Sequence, residues 1–129
     1  MLTHLSILAK EVTREKTNSS ENACAYVKKS RFHQCDDCAL LIIDSRYALL
    51  GVFDGVSGQP HAREASETAL RAIAGYVEKN FSKKNAQELL VSAIEDANYS
   101  IQNGGTTAAI ALVLPDGSYS YANVGDSHI

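Results

Sequence analysis

The segment Ala39-Leu40-Leu41-Ile42-Ile43-Asp44-Ser45-Arg46-Tyr47-Ala48-Leu49-Leu50-Gly51-Val52-Phe53 decides the fold. Two apolar runs flank Asp44-Ser45-Arg46, which suits a tight turn. The reading is a hairpin of two buried strands, Ala39 to Ile43 and Tyr47 to Phe53. Upstream, Ala23 to Val27 is a shorter strand candidate, preceded by the polar stretch Lys16 to Ser20 and followed by a polar loop from Lys28 to Asp37.

Downstream of Asp54-Gly55-Val56-Ser57-Gly58-Gln59-Pro60 the period changes. Ala65, Ala69, Ala72, Ile73, Tyr76 and Val77 recur at helical spacing, with Pro60 suited to the first turn. A second helix is expected from Asn85, which can cap it, with Glu88 in the capping-box position and Leu89, Leu90, Ala93, Ile94 and Ala97 as its buried stripe. Gly104-Gly105 ends the helical region. Thr106 to Leu114 and Ser118 to Val124 then read as strands joined by a Pro115-Asp116-Gly117 turn. Strands, two helices, then strands argue for an α+β domain with mainly antiparallel pairing.

The chain has 129 residues, 45% hydrophobic and 21% charged, which is enough for one domain with a real core. A formal net charge of −3 offers no basic patch for nucleic acid. No apolar run reaches the roughly 20 residues that span a bilayer, so no membrane partner is expected. The start, Met1 to Lys10, lacks the charged and apolar regions of a secretory signal, and Cys24, Cys35 and Cys38 are an odd set. Reduced thiols and a cytoplasmic location follow as expectations.

Three segments can carry chemistry. In Val52-Phe53-Asp54-Gly55 a buried strand delivers a carboxylate at its tip beside a free backbone carbonyl, oxygen donors of the kind Mg²⁺ or Mn²⁺ prefers. Asp-Gly also closes ordinary turns, so this segment alone decides nothing. Gly104-Gly105-Thr106-Thr107-Ala108-Ala109 opens a strand with small residues that permit close backbone packing. Ala122-Asn123-Val124-Gly125-Asp126-Ser127 ends another strand with a second carboxylate.

Taken in order, Gly51 to Gly58, Gly105-Thr106-Thr107-Ala108 and Asn123-Val124-Gly125-Asp126-Ser127 resemble three motifs of the PPM (type 2C) family of metal-dependent protein serine/threonine phosphatases. The resemblance runs from about Ser20 to Ile129 and is to the N-terminal part of the family's single domain. It implies an antiparallel β-sandwich flanked by helices, four layers in all. It also implies hydrolysis of phosphoserine or phosphothreonine in proteins by water activated at a two-metal centre of Mg²⁺ or Mn²⁺. Asp54 would be the catalytic carboxylate and bridge the metals, the Gly55 carbonyl would help bind one, and Asp126 matches a weaker additional position. Upstream, Glu21 in Ser20-Glu21-Asn22-Ala23 is the best match to a further carboxylate.

The departures are specific. Asn22 stands where the family has aspartate, Thr17 near where it has a phosphate-binding arginine, and Val56 where many members have histidine. Arg14 and Lys16 are read as surface charges, and His61 marks the helix start. The chain is expected to be a fragment that stops before the family's later aspartates, and so to have little activity alone. The alternative is a non-catalytic relative that keeps the fold to bind partners. Open sheet edges would let either form associate with itself. His33-x-Cys35-x-x-Cys38 lacks the second ligand pair of a structural zinc site, so it reads as a reduced loop with one cysteine entering the strand. Cys24 is expected to pack as a small apolar residue.

Overall fold

The computed structural model describes residues 3–20, 23–31 and 33–128. Its centre is the expected hairpin, β4 (Asp37–Ile43) with β5 (Ala48–Asp54), antiparallel along the full length of both strands. The turn is locked at several points. The Asp44 N–H donates to the Tyr47 carbonyl at 2.8 Å, and the Arg46 N–H donates to Asp44 Oδ1 at 2.9 Å. The Arg46 guanidinium pairs with the same carboxylate at 3.1 Å and lies over the rings of Tyr47 and Phe81. That pairing holds the Asp44 carboxyl down at about 2.

Strand β6 (Ala108–Val113) pairs with β5, β7 (Tyr119–Val124) with β6, and the short β1 (Thr3–His4) with β4, giving one sheet in the order β1-β4-β5-β6-β7. A separate antiparallel ribbon joins β2 (Glu15–Ser19) to β3 (Cys24–Lys28). The fold is therefore α+β with two antiparallel sheets, as expected. The described residues supply three of the four expected layers, namely helices, main sheet and ribbon, with no second helical layer among them.

Side-chain alternation fixes which residues face which layer. Cys38, Leu40 and Ile42 of β4 share a face with Phe53 and Leu49 of β5 and with Ile110 and Leu112 of β6, all buried. Against this face pack α1 (Ala62–Asn80) and α2 (Ala86–Ser100). The Cys38 thiol meets the Ser66 hydroxyl of α1 at 3.3 Å. On the other face β3 packs over β4, leaving Leu50, Val52, Tyr119 and Tyr121 exposed. Strand β4 is covered on both sides, which is why its sequence is a continuous apolar run rather than an alternation.

Both helices follow the expected stripes, with Ala65, Ala69, Ile73 and Val77 buried in α1 and Leu89, Leu90, Ala93 and Ala97 in α2. Asn85 caps α2 by accepting the Glu88 N–H at 2.9 Å. Pro60 falls outside α1, because His61 is the N-cap, in a left-handed conformation (φ 66°), and the helix opens at Ala62. Glu67 is buried although charged. Its Oε1 accepts the Lys10 N–H at 2.8 Å and Oε2 faces Arg71 at 3.9 Å, so its burial is compensated. Gly75 sits inside α1 with no atom near the place a Cβ would occupy. Gly75→Ala should therefore raise stability by about 0.5–1 kcal/mol through reduced backbone entropy of the unfolded chain, read as a higher midpoint in urea.

Two readings are corrected. The polar stretch Lys16 to Ser20, for which no strand is expected, mostly forms a strand of its own, β2. Cys24 is exposed, because β3 turns Ala25 and Val27 inward and Cys24 outward. As expected, Cys38 enters the strand and Cys35 stays in the loop before it, both free and both buried; Cys38 is on the helix face, while the Cys35 thiol donates to the Asp37 carbonyl at 3.6 Å. Burial pushes the Cys38 thiol up to about 11, which makes it a packing residue rather than a reactive one. No helix among the described residues is long and apolar enough to cross a membrane.

Candidate functional site

The ladder between β4 and β5 ends on the rung Asp37–Asp54. Paired residues of an antiparallel ladder project to one face. Asp54 lies two residues beyond Val52 and Asp37 two before Ala39, so both carboxyl groups leave on the ribbon side, away from the helices. Burial is the main force that pushes the Asp37 carboxyl up to about 6. A hydrogen bond to Asp54, the Asp54 charge and then the Asp36 charge add to it. Two carboxyls this close resist carrying two charges unless a proton or a cation lies with them. They line a cavity of about 220 Å³ together with Tyr26, Lys28, Val52 and Ser127.

The three segments singled out in the sequence meet at this end of the sheet. Beyond β5 the pairing continues as a bridge between Gly55 and Thr106. The Thr107 N–H donates to the Asp54 carbonyl at 2.9 Å, and the Val56 N–H donates to the Gly105 carbonyl at 2.9 Å. The Asp54 N–H donates to Thr107 Oγ1 at 3.1 Å, and that same hydroxyl shares a hydrogen bond with Ser127 Oγ. Close packing requires small residues here. At Gly125 (φ 92°) a Cβ would stand 2.7 Å from Thr107 Cγ2.

The expected site residues separate into three groups. Asp54 lines the cavity, and Gly55 follows it on the bridge to Thr106 without lining the cavity. Asp126 is exposed in the bend after β7 and does not line the cavity, whereas its neighbour Ser127 does. Glu21, with Asn22, lies outside the described residues. The carboxylate that faces Asp54 is Asp37, at the end of a stretch that its sequence alone places in a polar loop. Thr17 and Arg14 are exposed on and beside β2, and Lys16 pairs with Glu11 at 3.7 Å. The cation lining the cavity is instead Lys28, at the end of β3. Val56 and His61 do not line it.

Oxygen donors at a strand tip suit a hard divalent ion, and a crowded carboxyl pair is relieved by one. Asp37, Asp54 and retained waters fit a single such ion. Among the described residues no group of three or more His, Cys, Asp and Glu converges. Neither the models of known protein families nor the curated proteins compared with the chain give a match.

Proposed function

We propose that this chain carries the N-terminal half of a PPM-type protein serine/threonine phosphatase site, in which Asp37 and Asp54 hold Mg²⁺ or Mn²⁺. The observation that supports this most is the carboxyl pair on the last rung of the hairpin, flanked by the Gly105–Thr107 and Gly125–Ser127 segments. When bound, such ions offset charge on a phosphate and lower the pKa of water. The chain's own contributions are the two carboxylates and the Gly55 carbonyl as oxygen donors. Lys28, on the same cavity, would meet the charge of a phosphoserine or phosphothreonine. Free thiols at Cys24, Cys35 and Cys38 are consistent with the cytoplasmic setting of this reading.

A second reading, a non-catalytic relative with the same fold, draws on the small donor set, two converging carboxylates among the described residues. One titration separates the two. Mn²⁺ added to ¹⁵N-labelled protein should broaden the amide signals of Asp37, Asp54 and Gly55 first, and Asp54→Asn should weaken that response at least about tenfold. Phosphopeptide turnover by this chain alone should stay near background. Broadening spread over surface carboxylates, equal in Asp54→Asn, would favour the non-catalytic relative.

A further inference from the structure

Thr107 is in contact with Asp54 through two separate hydrogen bonds, and only one of them is backbone pairing. Its N–H donates to the Asp54 carbonyl at 2.9 Å, which any residue except proline could do. Its Oγ1 accepts the Asp54 N–H at 3.1 Å, in the place where the β5–β6 ladder would otherwise present a main-chain carbonyl. The same oxygen shares a hydrogen bond with Ser127 Oγ. Ser127 is in turn held in its bend by Asn123, whose Nδ2 donates to the carbonyls of Gly125 and Ser127 at 3.4 Å each. Gly125, in a left-handed conformation, lets that bend close down on Thr107.

We propose that the Thr107–Ser127 hydroxyl pair is a positioning device. It fixes the backbone of Asp54, and through it the direction of the carboxylate, from the turn that follows β7. The proposal rests on the reading of Asp37 and Asp54 as cation ligands and assigns neither hydroxyl to the ion. The chemistry fits the residue types. A hydroxyl can accept one hydrogen bond while it shares another, which valine at 107 or alanine at 127 cannot do. Asp54 ends β5, and the Thr107 hydroxyl fixes its backbone N–H, so the Cα–Cβ bond from which the carboxylate projects is held in one direction.

The test uses the full chain and two readouts, hydrogen exchange at the Asp54 amide without metal and Mn²⁺ broadening at Asp37 and Asp54. Thr107→Val keeps the shape and removes the hydroxyl, whereas Thr107→Ser keeps the hydroxyl. Val should speed Asp54 exchange and weaken the Mn²⁺ response, each about tenfold, and Ser should stay within about twofold of wild type in both. Ser127→Ala leaves Thr107 whole and should shift both readouts in the same direction by about threefold, so it carries the test if Val does not fold. Unchanged Asp54 exchange in Thr107→Val, or loss in Thr107→Ser equal to that in Val, overturns the positioning role and leaves the cation reading standing. Wild-type protein with no Mn²⁺ response at Asp37 and Asp54 overturns the cation reading, and this proposal with it.

Discussion

Gly55→Ala should lower the stability of the domain by about 3 kcal/mol and its melting temperature by about 10 °C, and should abolish Mn²⁺ binding at Asp54. A Cβ built at Gly55 stands 2.5 Å from the Ala62 carbonyl oxygen, 2.9 Å from its carbon and 2.7 Å from the Asp36 carbonyl oxygen. All three are backbone atoms, so no rotamer change can make room. The first belongs to the opening residue of α1 and the last to the residue before β4. Relief would therefore have to come from moving a helix, or from breaking the bond in which the Gly55 N–H donates to Asp36 at 3.2 Å. Gly117→Ala is the matched control. There a Cβ meets nothing, and the cost is only that of a left-handed φ of 87°, about 1 kcal/mol. Urea melts of both variants beside wild type check the difference. Equal losses would mean that α1 does not start as close to the strand end as it does here.

Gly55 also shows what kind of information the sequence carried. Asp54-Gly55 was visible as a strand tip, but the reason for the glycine was not, because it lies in Ala62 and Asp36, which only the fold brings together. The β4–β5 hairpin and the two helices were legible because apolar periodicity reports burial directly. Strand β2 was not. Glu15-Lys16-Thr17-Asn18-Ser19 has no apolar face, and the strand exists because β3 pairs with it. Cys24 departs from its expected packing for a related reason. Parity along β3 is set by Ala25 and Val27, and a one-residue difference in register turns a side chain outward.

Asp37 is the instructive miss. Its polar neighbours suggest a loop, although the turn at Asp44 to Arg46 already fixes the hairpin register. Following the ladder outward from Ile43–Ala48 arrives at Asp37–Asp54 with no bulge on the way. The signal was available as hairpin register, not as a motif. Lys28 differs, since its approach to the carboxyl pair depends on the ribbon folding over β4, a non-local contact that spacing cannot report. The Thr107–Ser127 link is likewise non-local, between strands β6 and β7 beyond their paired rungs.

The same pair yields the second large effect. Without divalent cations at pH 7.5, Asp37→Asn should be more stable than wild type by about 1 kcal/mol while binding Mn²⁺ at least about tenfold more weakly. The sign follows from proton uptake. Asp37 is raised from an ordinary 3.8 to about 6, so between those values the folded protein binds a proton that the unfolded chain releases. Stability from this group is full below about pH 4 and is lost as pH rises through 6. The half-exposed pair is screened by water, which keeps the loss to about 1 kcal/mol. Asn cannot ionise, so the variant's stability should lack this fall between pH 4 and 7. Asp44, held down at about 2 by Arg46, acts below that window and in the opposite direction, and it is common to both proteins. Mn²⁺ should reverse the ranking at pH 7.5, because the ion turns two repelling carboxylates into two ligands in wild type and finds only one in the variant. Thermal melts of both proteins at pH 5 and 7.5, with and without Mn²⁺, check each sign. A wild type that is no less stable than the variant at pH 7.5 without metal would show that neither burial nor the neighbouring Asp54 charge penalises an ionised Asp37, and a cation would then have nothing to relieve.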